Sequence, residues 1–142
     1  PPISGYPTLP VPSPGGPVLR KVLIADDEPN IRNILDFTLH AEGFDVVSAR
    51  NGDDAFTLAL GEQPDLIILD VMMPGTNGYE TCRRLKADRR TARIPVVLLT
   101  ARSSRDDRRI GEEAGADAYV TKPFSPGKLV TAVQDLLGSA NV

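Results

Sequence analysis

The segment KVLIADD, residues 21–27, combines a short apolar run with two adjacent aspartates. Three later segments follow the same design, an apolar run with a polar residue at or near its end: DLIILD (65–70), IPVVLLT (94–100) and DAYVTKP (117–123). Short runs rich in Val, Ile and Leu are typical of strands buried in a sheet. Because strands of an open parallel sheet end at a common crevice, we expect these polar residues to share one pocket.

The remainder of the chain alternates between strand-like and helix-like segments. The predicted strands are residues 21–25, 44–49, 66–70, 95–100 and 118–121. A helix is predicted after each strand, and the fourth, at 105–114, is the weakest because it has few apolar residues and contains Gly111. Gly43, Gly61 and Gly115 are expected to end helices. Five such units predict an α/β domain with a parallel sheet covered by helices on both faces.

Residues 1–19 differ in composition from the rest of the chain. They are rich in proline and glycine, which predicts a disordered tail or linker. The folded domain is predicted to span 20–138, with 139–142 as a C-terminal tail. The chain is thus either a free-standing domain or a piece of a longer protein.

The charge balance and the cysteine content limit the class of protein. The chain has 16 basic and 19 acidic residues and a formal net charge of −3, which argues against non-specific binding to nucleic acid or to an anionic membrane. No apolar run approaches the length of a membrane span, and residues 1–19 lack a signal-peptide pattern. One cysteine, Cys82, excludes an internal disulfide. We therefore expect a soluble protein of the cytoplasm.

The carboxylates at the strand ends predict a metal site. Asp26, Asp27 and Asp70 form a dense negative cluster that suits Mg²⁺ or Mn²⁺, which prefer oxygen ligands. Without a cation these carboxylates would repel one another. In the alternative interpretation, Asp26 and Asp27 only cap the following helix and Asp70 is a turn residue.

The same set of residues predicts phosphoryl transfer. The carboxylate of Asp70 can attack phosphorus and form an acyl phosphate. The Thr100 hydroxyl and the Lys122 ammonium would then bind the oxygens of the phosphoryl group. Lys122 could instead be a surface lysine lying over an apolar edge. Its position before Pro123 favours a fixed side-chain direction.

The motifs resemble the receiver domain of bacterial two-component response regulators. The resemblance covers about residues 20–138 and rests on ADDEPNIR (25–32), PDLIILDVMMPGTNGYE (64–80), IPVVLLTA (94–101) and EAGADAYVTKPFSP (113–126). It implies a flavodoxin-like (βα)5 fold, which is a doubly wound parallel five-stranded sheet with strand order 2-1-3-4-5.

The resemblance also implies a role for each carboxylate. Asp70 is implied to be the phosphoacceptor. Direct ligands of Mg²⁺ would be Asp27, Asp70 and the backbone carbonyl of Met72, whereas Asp26 would act largely through water. The expected activity is self-phosphorylation and self-dephosphorylation, without a metabolic product.

The implied signalling function links the site to a surface. A sensor histidine kinase or a phosphotransfer protein would donate its phosphoryl group to Asp70, and Thr100 and Lys122 would bind it. Tyr119 would be an aromatic switch that turns inward when Thr100 moves, or else simply a half-buried strand residue. The 105–121 surface would then change its contacts with an effector or output domain.

Two further residues lie where they could affect the lifetime of the acyl phosphate. Met72 and Arg102 follow Asp70 and Thr100 by two positions and flank the expected route of the attacking water. We predict that they shield the acyl phosphate from hydrolysis.

Three other functions remain as alternatives. A flavodoxin-like cofactor binder is disfavoured because no glycine- and hydroxyl-rich phosphate loop follows the first strand. A Mg²⁺-dependent phosphatase or phosphotransferase using an aspartyl phosphate usually needs a cap domain, for which this chain has no room. A phosphorylation-independent interaction module is disfavoured because all five key residues are present.

Overall fold

A computed structural model describes residues 19–102 and 104–138. The elements in chain order are β1 (Lys21–Ala25), α1 (Pro29–Ala41), β2 (Asp45–Ala49), α2 (Gly52–Glu62), β3 (Leu66–Asp70), β4 (Met72–Met73), β5 (Thr76–Asn77), α3 (Gly78–Ala87), β6 (Val96–Thr100), α4 (Arg105–Glu113), β7 (Ala118–Thr121) and α5 (Pro126–Gly138). The predictions for residues 1–18 and 139–142 fall outside the described part of the chain.

The main sheet has five parallel strands in the order β2-β1-β3-β6-β7. Counted within this sheet, that is the predicted order 2-1-3-4-5, so the predicted doubly wound flavodoxin-like fold is confirmed. The strand order reverses between β1 and β3, and the crevice at the strand ends opens at that point. The strands β1 and β3 thus carry the acidic residues to the position where such sheets bind ligands.

Apolar side chains cover both faces of the sheet. On one face, alternate strand residues such as Ile68 and Leu99 pack against α1 and α5. On the other face, residues such as Leu69 and Leu98 pack against α2 and α3. All five positions of both β3 and β6 are buried, as the continuous apolar runs predicted. No helix in the described part of the chain is long and apolar enough to cross a membrane.

A short hairpin that the sequence analysis missed follows β3. The strands β4 and β5 pair antiparallel, and Pro74 and Gly75 connect them. Gly75 has a φ of 70°, the left-handed conformation that glycine adopts at the third position of a type II turn after proline. The hairpin places Met72 directly beside the end of β3.

The prediction that Gly61 ends a helix is wrong. It lies inside α2, and Gln63 takes the left-handed conformation after the helix with a φ of 48°. The backbone N–H of Gln63 donates to the carbonyl oxygen of Ala59 at 3.0 Å, and its side-chain amide donates to the carbonyl oxygen of Leu60 at 3.2 Å, so two carbonyls at the end of the helix have donors. Gly43 and Gly115 do follow helices with φ values of 91° and 96°, as predicted.

The two glycines of α2 should respond oppositely to alanine. A Cβ atom at Gly52 would overlap the hydroxyl of Thr81 and lie 2.6 Å from Cγ2 of Thr76, so Gly52→Ala should lower the free energy of unfolding by about 1–3 kcal/mol. At Gly61 a Cβ meets no atom within 4 Å, and Gly61→Ala should raise it by up to about 1 kcal/mol. Urea unfolding of both variants tests this, and shifts of the same sign would contradict it.

Candidate functional site

The structure brings the predicted acidic residues together at the strand ends. One carboxylate oxygen from each of Asp26, Asp27 and Asp70 lies within 4.8 Å of the others. The neighbouring strand β6 ends at Thr100, whose carbonyl accepts a hydrogen bond of 2.7 Å from the backbone N–H of Lys122. The structure therefore brings these strand-end residues to one edge of the sheet, although they come from distant parts of the chain.

Two buried carboxylates point at the same ammonium group. Asp26 is fully buried and Asp70 is 2% exposed. In each, Oδ1 accepts the backbone N–H of the residue two positions on, at 2.9 Å from Glu28 and 3.1 Å from Met72. Their Oδ2 atoms lie 3.2 Å and 3.4 Å from Nζ of Lys122. The backbone contacts thus fix both carboxylates and leave one oxygen of each facing Lys122.

Burial dominates the proton affinities of these acids. It raises the pKa of Asp70 to about 6, and the nearby charge of Asp26 adds to this effect. The backbone N–H of Met72 and the charge of Lys122 act in the opposite direction without cancelling it. Burial also raises the pKa of Asp26. Ionising these two carboxyl groups is therefore costly in the folded protein, and additional positive charge beside them would lower that cost.

Lys122 stays charged within this cluster. Burial alone would lower its pKa, but the hydrogen bond to Glu28 and the charges of Asp26 and Asp70 raise the pKa overall. Its Nζ lies 3.0 Å from Oε1 of Glu28. The bond from Lys122 to Pro123 is cis.

The cluster is chemically suited to a divalent cation. Lys122 supplies one positive charge where Asp26, Asp27, Glu28 and Asp70 supply four carboxylates. Within the described residues, Oδ2 of Asp26 is buried without a hydrogen bond, because its contact with Lys122 does not have hydrogen-bond geometry. An unsatisfied buried carboxylate oxygen is costly, and coordination to a cation would satisfy it. The oxygen-only donor set fits Mg²⁺ or Mn²⁺.

The Thr100 side chain lies fully buried at the end of β6. Its hydroxyl oxygen accepts the backbone N–H of Arg102 at 3.1 Å, so the hydroxyl keeps its own proton for a further acceptor. This arrangement is compatible with the predicted contact to a phosphoryl group.

Tyr119 is half-buried on β7 and already contacts the loop after β6. Its hydroxyl donates to the backbone carbonyl of Arg102 at 3.0 Å, and the guanidinium of Arg108 lies 5.1 Å from its ring centre. Burial raises the pKa of Tyr119, and the hydrogen bond with Tyr79 raises it further. The switch role of Tyr119 stays a prediction.

A groove of about 810 Å³ opens beside the carboxylates, between the β4–β5 hairpin, α3 and α4. Met72 and Arg102 both line it, and Met72 is 55% exposed. The guanidinium of Arg102 is held at 3.6 Å from the carboxylate of Asp107. Both residues thus line the same groove as Asp27, and their shielding role stays a prediction.

Sequence reasoning did not identify two residues that contact site residues. Glu28 pairs with Lys122, and its position directly after Asp27 was the available signal. Tyr79 contacts Tyr119 through its hydroxyl, at 3.1 Å. Because Tyr79 fits the helical spacing of the core, its sequence position gave no sign of this polar contact.

Comparison with known proteins agrees with this geometry. Residues 22–134 match the response regulator receiver domain family. The solved structure of the chemotaxis protein CheY4 of Vibrio cholerae is 32% identical with a TM-score of 0.81, and the match covers 84% of this chain and 100% of that chain. The signal receiver domain of a signal transduction histidine kinase from Syntrophus aciditrophicus is 38% identical with a TM-score of 0.78, covering 84% of this chain and 91% of that one.

The fold and the acidic strand-end site define a signalling domain of the doubly wound α/β class. The chain belongs to the response regulator receiver domain family. It is a receiver domain of two-component signal transduction, a family that binds Mg²⁺ at an acidic pocket and interacts with histidine kinases and output domains.

Proposed function

We propose that this receiver domain accepts a phosphoryl group on Asp70 from the phosphohistidine of a sensor histidine kinase or phosphotransfer protein. The convergence of the Asp26 and Asp70 carboxylates on Lys122, with Asp27 beside them, carries the proposal. Asp70 stands at the end of the central strand β3, at the edge of the sheet where the crevice opens. Its pKa of about 6 leaves it ionised, and hence nucleophilic, at pH 7–8.

A divalent cation, Mg²⁺ or Mn²⁺, would be held by Asp26, Asp27 and Asp70, together with the backbone carbonyl of Met72. When bound, the cation supplies positive charge that offsets the charge of the phosphoryl oxygens. The unsatisfied oxygen of Asp26 and the excess of carboxylates over ammonium support this assignment.

The chain's own residues carry out the transfer. A carboxylate oxygen of Asp70 attacks phosphorus, the bond from phosphorus to the donor's imidazole nitrogen breaks, and its electron pair leaves with that nitrogen. The Lys122 ammonium and the Thr100 hydroxyl donate to the oxygens of the transferred group. No proton needs to leave Asp70, because the attacking carboxylate is already ionised.

The change at the signalling surface would start from the hydrogen-bond partners of Thr100. Movement of Thr100 toward the phosphoryl group would displace Arg102, whose N–H it accepts, and Arg102 in turn contacts Tyr119. The 105–121 surface would then change its contacts with an effector or output domain. We further propose that the domain spans 20–138, that residues 1–19 are a tail or linker, and that the protein acts in the cytoplasm.

Acetyl phosphate with Mg²⁺ provides the direct test, read by intact-mass spectrometry. The wild-type chain should gain one phosphoryl mass, and Asp70→Asn should gain none because the attacking oxygen is lost. EDTA should prevent the gain in the wild type. A folded wild-type chain that gains no mass and binds no beryllofluoride would contradict the proposal and favour a phosphorylation-independent interaction module.

Met72 should control how long the phosphoryl group persists. Replacing Met72 with Asn puts an amide beside the acyl phosphate, where it can orient a water molecule, so dephosphorylation should become several-fold faster. The rate is measured by following the loss of the phosphoryl mass after the donor is removed. Met72→Leu is the matched control because it keeps an apolar side chain. An unchanged rate in Met72→Asn would contradict the shielding role.

A further inference from the structure

The hydroxyl group of Tyr79, which lines the groove, meets the hydroxyl group of Tyr119. Tyr79 comes from α3 and Tyr119 from β7, and their oxygens lie 3.1 Å apart. Each also contacts a backbone carbonyl, Tyr119 that of Arg102 at 3.0 Å and Tyr79 that of Asp107 at 3.3 Å. The pair therefore connects α3, the loop after β6, the first turn of α4 and β7.

The number of protons limits what the two hydroxyls can donate. Each tyrosine has one hydroxyl proton, and a carbonyl oxygen can only accept, so two protons face three contacts. When the Tyr119 proton goes to the carbonyl of Arg102, the Tyr79 proton is shared between the Tyr119 oxygen at 3.1 Å and the Asp107 carbonyl at 3.3 Å. Removing the Tyr79 hydroxyl would take away both of these contacts. We call the position in which the Tyr119 hydroxyl contacts Arg102 and Tyr79 its inward position. It depends on a residue of another element, α3, that is only 7% exposed.

A glycine in α4 provides the space for the ring of Tyr119. A Cβ atom at Gly111 would lie 2.9 Å from both Cδ2 and Cε2 of Tyr119. Carbon atoms do not approach this closely, and the ring at the end of its side chain is the part that can move. Glycine weakens the interior of a helix by about 0.5–1 kcal/mol relative to alanine. A glycine at position 111 of α4 is explained if the ring of Tyr119 must pack against this helix.

We propose that Tyr79 is a positioning residue that favours the inward position of Tyr119 already before phosphorylation, rather than only after Thr100 moves as the family resemblance implied, and that Gly111 provides the room for this position. The contacts of Tyr79 and Tyr119 do not need a phosphoryl group. Only the role of Tyr119 as a switch rests on the proposed function. α3 would thereby set the resting balance between the inward and outward positions of Tyr119.

Fluorine NMR of the unphosphorylated chain tests the proposal. The chain is labelled with 3-fluorotyrosine in a Tyr6→Phe background, which leaves the resonances of Tyr79 and Tyr119. Tyr79→Phe keeps the ring and removes the hydroxyl. It should reduce the inward population of Tyr119 about 2–10-fold and move its resonance toward that of an exposed tyrosine. Gly111→Ala should move the resonance in the same direction. Because the new Cβ also lies 3.1 Å from Cδ1 of the buried Leu98, the free energy of unfolding of this variant is measured alongside to show that it remains folded.

Thr81→Val is the control, because it removes a buried hydroxyl from the same helix without contact to Tyr119 in the described structure. Its Tyr119 resonance should stay at the wild-type position. A Tyr119 resonance that is unchanged in both Tyr79→Phe and Gly111→Ala, with both variants folded, would overturn the proposal. Phosphoryl uptake is measured separately on the same samples. If the wild-type chain takes up no phosphoryl group, the proposed function is overturned, but the fluorine NMR result on the position of Tyr119 remains valid.

Discussion

Lys122→Met should slow the gain of a phosphoryl group from acetyl phosphate by about 100-fold or more at saturating Mg²⁺. The ammonium faces Oδ2 of Asp26 and of Asp70, which is where charge accumulates as the phosphoryl group arrives. Removing one fixed donor from such a position typically costs 10²–10³ in rate, since water cannot replace it without reorganising. Methionine keeps the length and apolar stem of the side chain, so the loss is one of charge.

Lys128→Met is the matched control for this rate measurement. Lys128 is exposed near the start of α5, and its side chain takes no part in the acidic cluster. The initial rate of mass gain for this variant should equal that of the wild type. A Lys122→Met rate within about threefold of wild type would contradict the role of the ammonium in the transfer. The free energy of unfolding of Lys122→Met should also fall, because two buried carboxylates lose their counter-charge.

Asp70→Asn should stabilise the metal-free protein above pH 6. The pKa of Asp70 is raised from 3.8 to about 6 in the folded chain, mainly by burial and then by the charge of Asp26. Ionising it in the folded state therefore costs more than in the unfolded state. The amide has no charge to bury, and the gain in the free energy of unfolding should be about 1–3 kcal/mol.

The pH dependence of this difference has a defined direction. Between pH 4 and 6 the folded state binds more protons at Asp70 than the unfolded state, so this group lowers wild-type stability as the pH rises through that window. The advantage of Asp70→Asn should thus be small near pH 4, grow to pH 6 and stay constant above it. Added Mg²⁺ should reduce the advantage, because it binds the wild-type site more strongly.

Urea unfolding with EDTA at pH 4.5 and pH 8, and again with Mg²⁺ at pH 8, checks these expectations. Asp135→Asn, at an exposed position of α5, is the control for loss of one negative charge and should show no comparable gain. A gain that is equal at the two pH values in EDTA would show that relief of a buried charge is not the cause.

The strands and the site were predictable because their signals are local. Each apolar run was long enough to specify a buried strand, and the parallel arrangement then placed the strand-end residues at one crevice. The order of the strands needed the resemblance to a family, because the runs themselves do not say which strand lies beside which. Asp26, Asp70 and Lys122 could be singled out as candidate site residues because they stand directly at strand ends.

Features that depend on three-dimensional contacts were not predictable. The β4–β5 hairpin has strands of two residues, too short for any periodicity, and only Pro74 and Gly75 indicate its turn. Gln63 ends α2 through hydrogen bonds from its own side chain, which composition does not reveal. Tyr79 has the spacing of a core residue, and only the folded structure shows that its hydroxyl meets Tyr119.

The position of β7 in the sheet has a consequence for how the domain transmits a signal. In the described structure β7 pairs only with β6, and all four of its residues are half-buried, whereas β3 is buried throughout between two neighbours. Displacing a central strand would break two ladders of hydrogen bonds and disturb the core on both faces. Displacing β7 with α4 affects one ladder and few apolar contacts. Chemistry at Asp70 thus occurs where the domain is most rigid, and the response is expressed at the margin where rearrangement needs the least free energy.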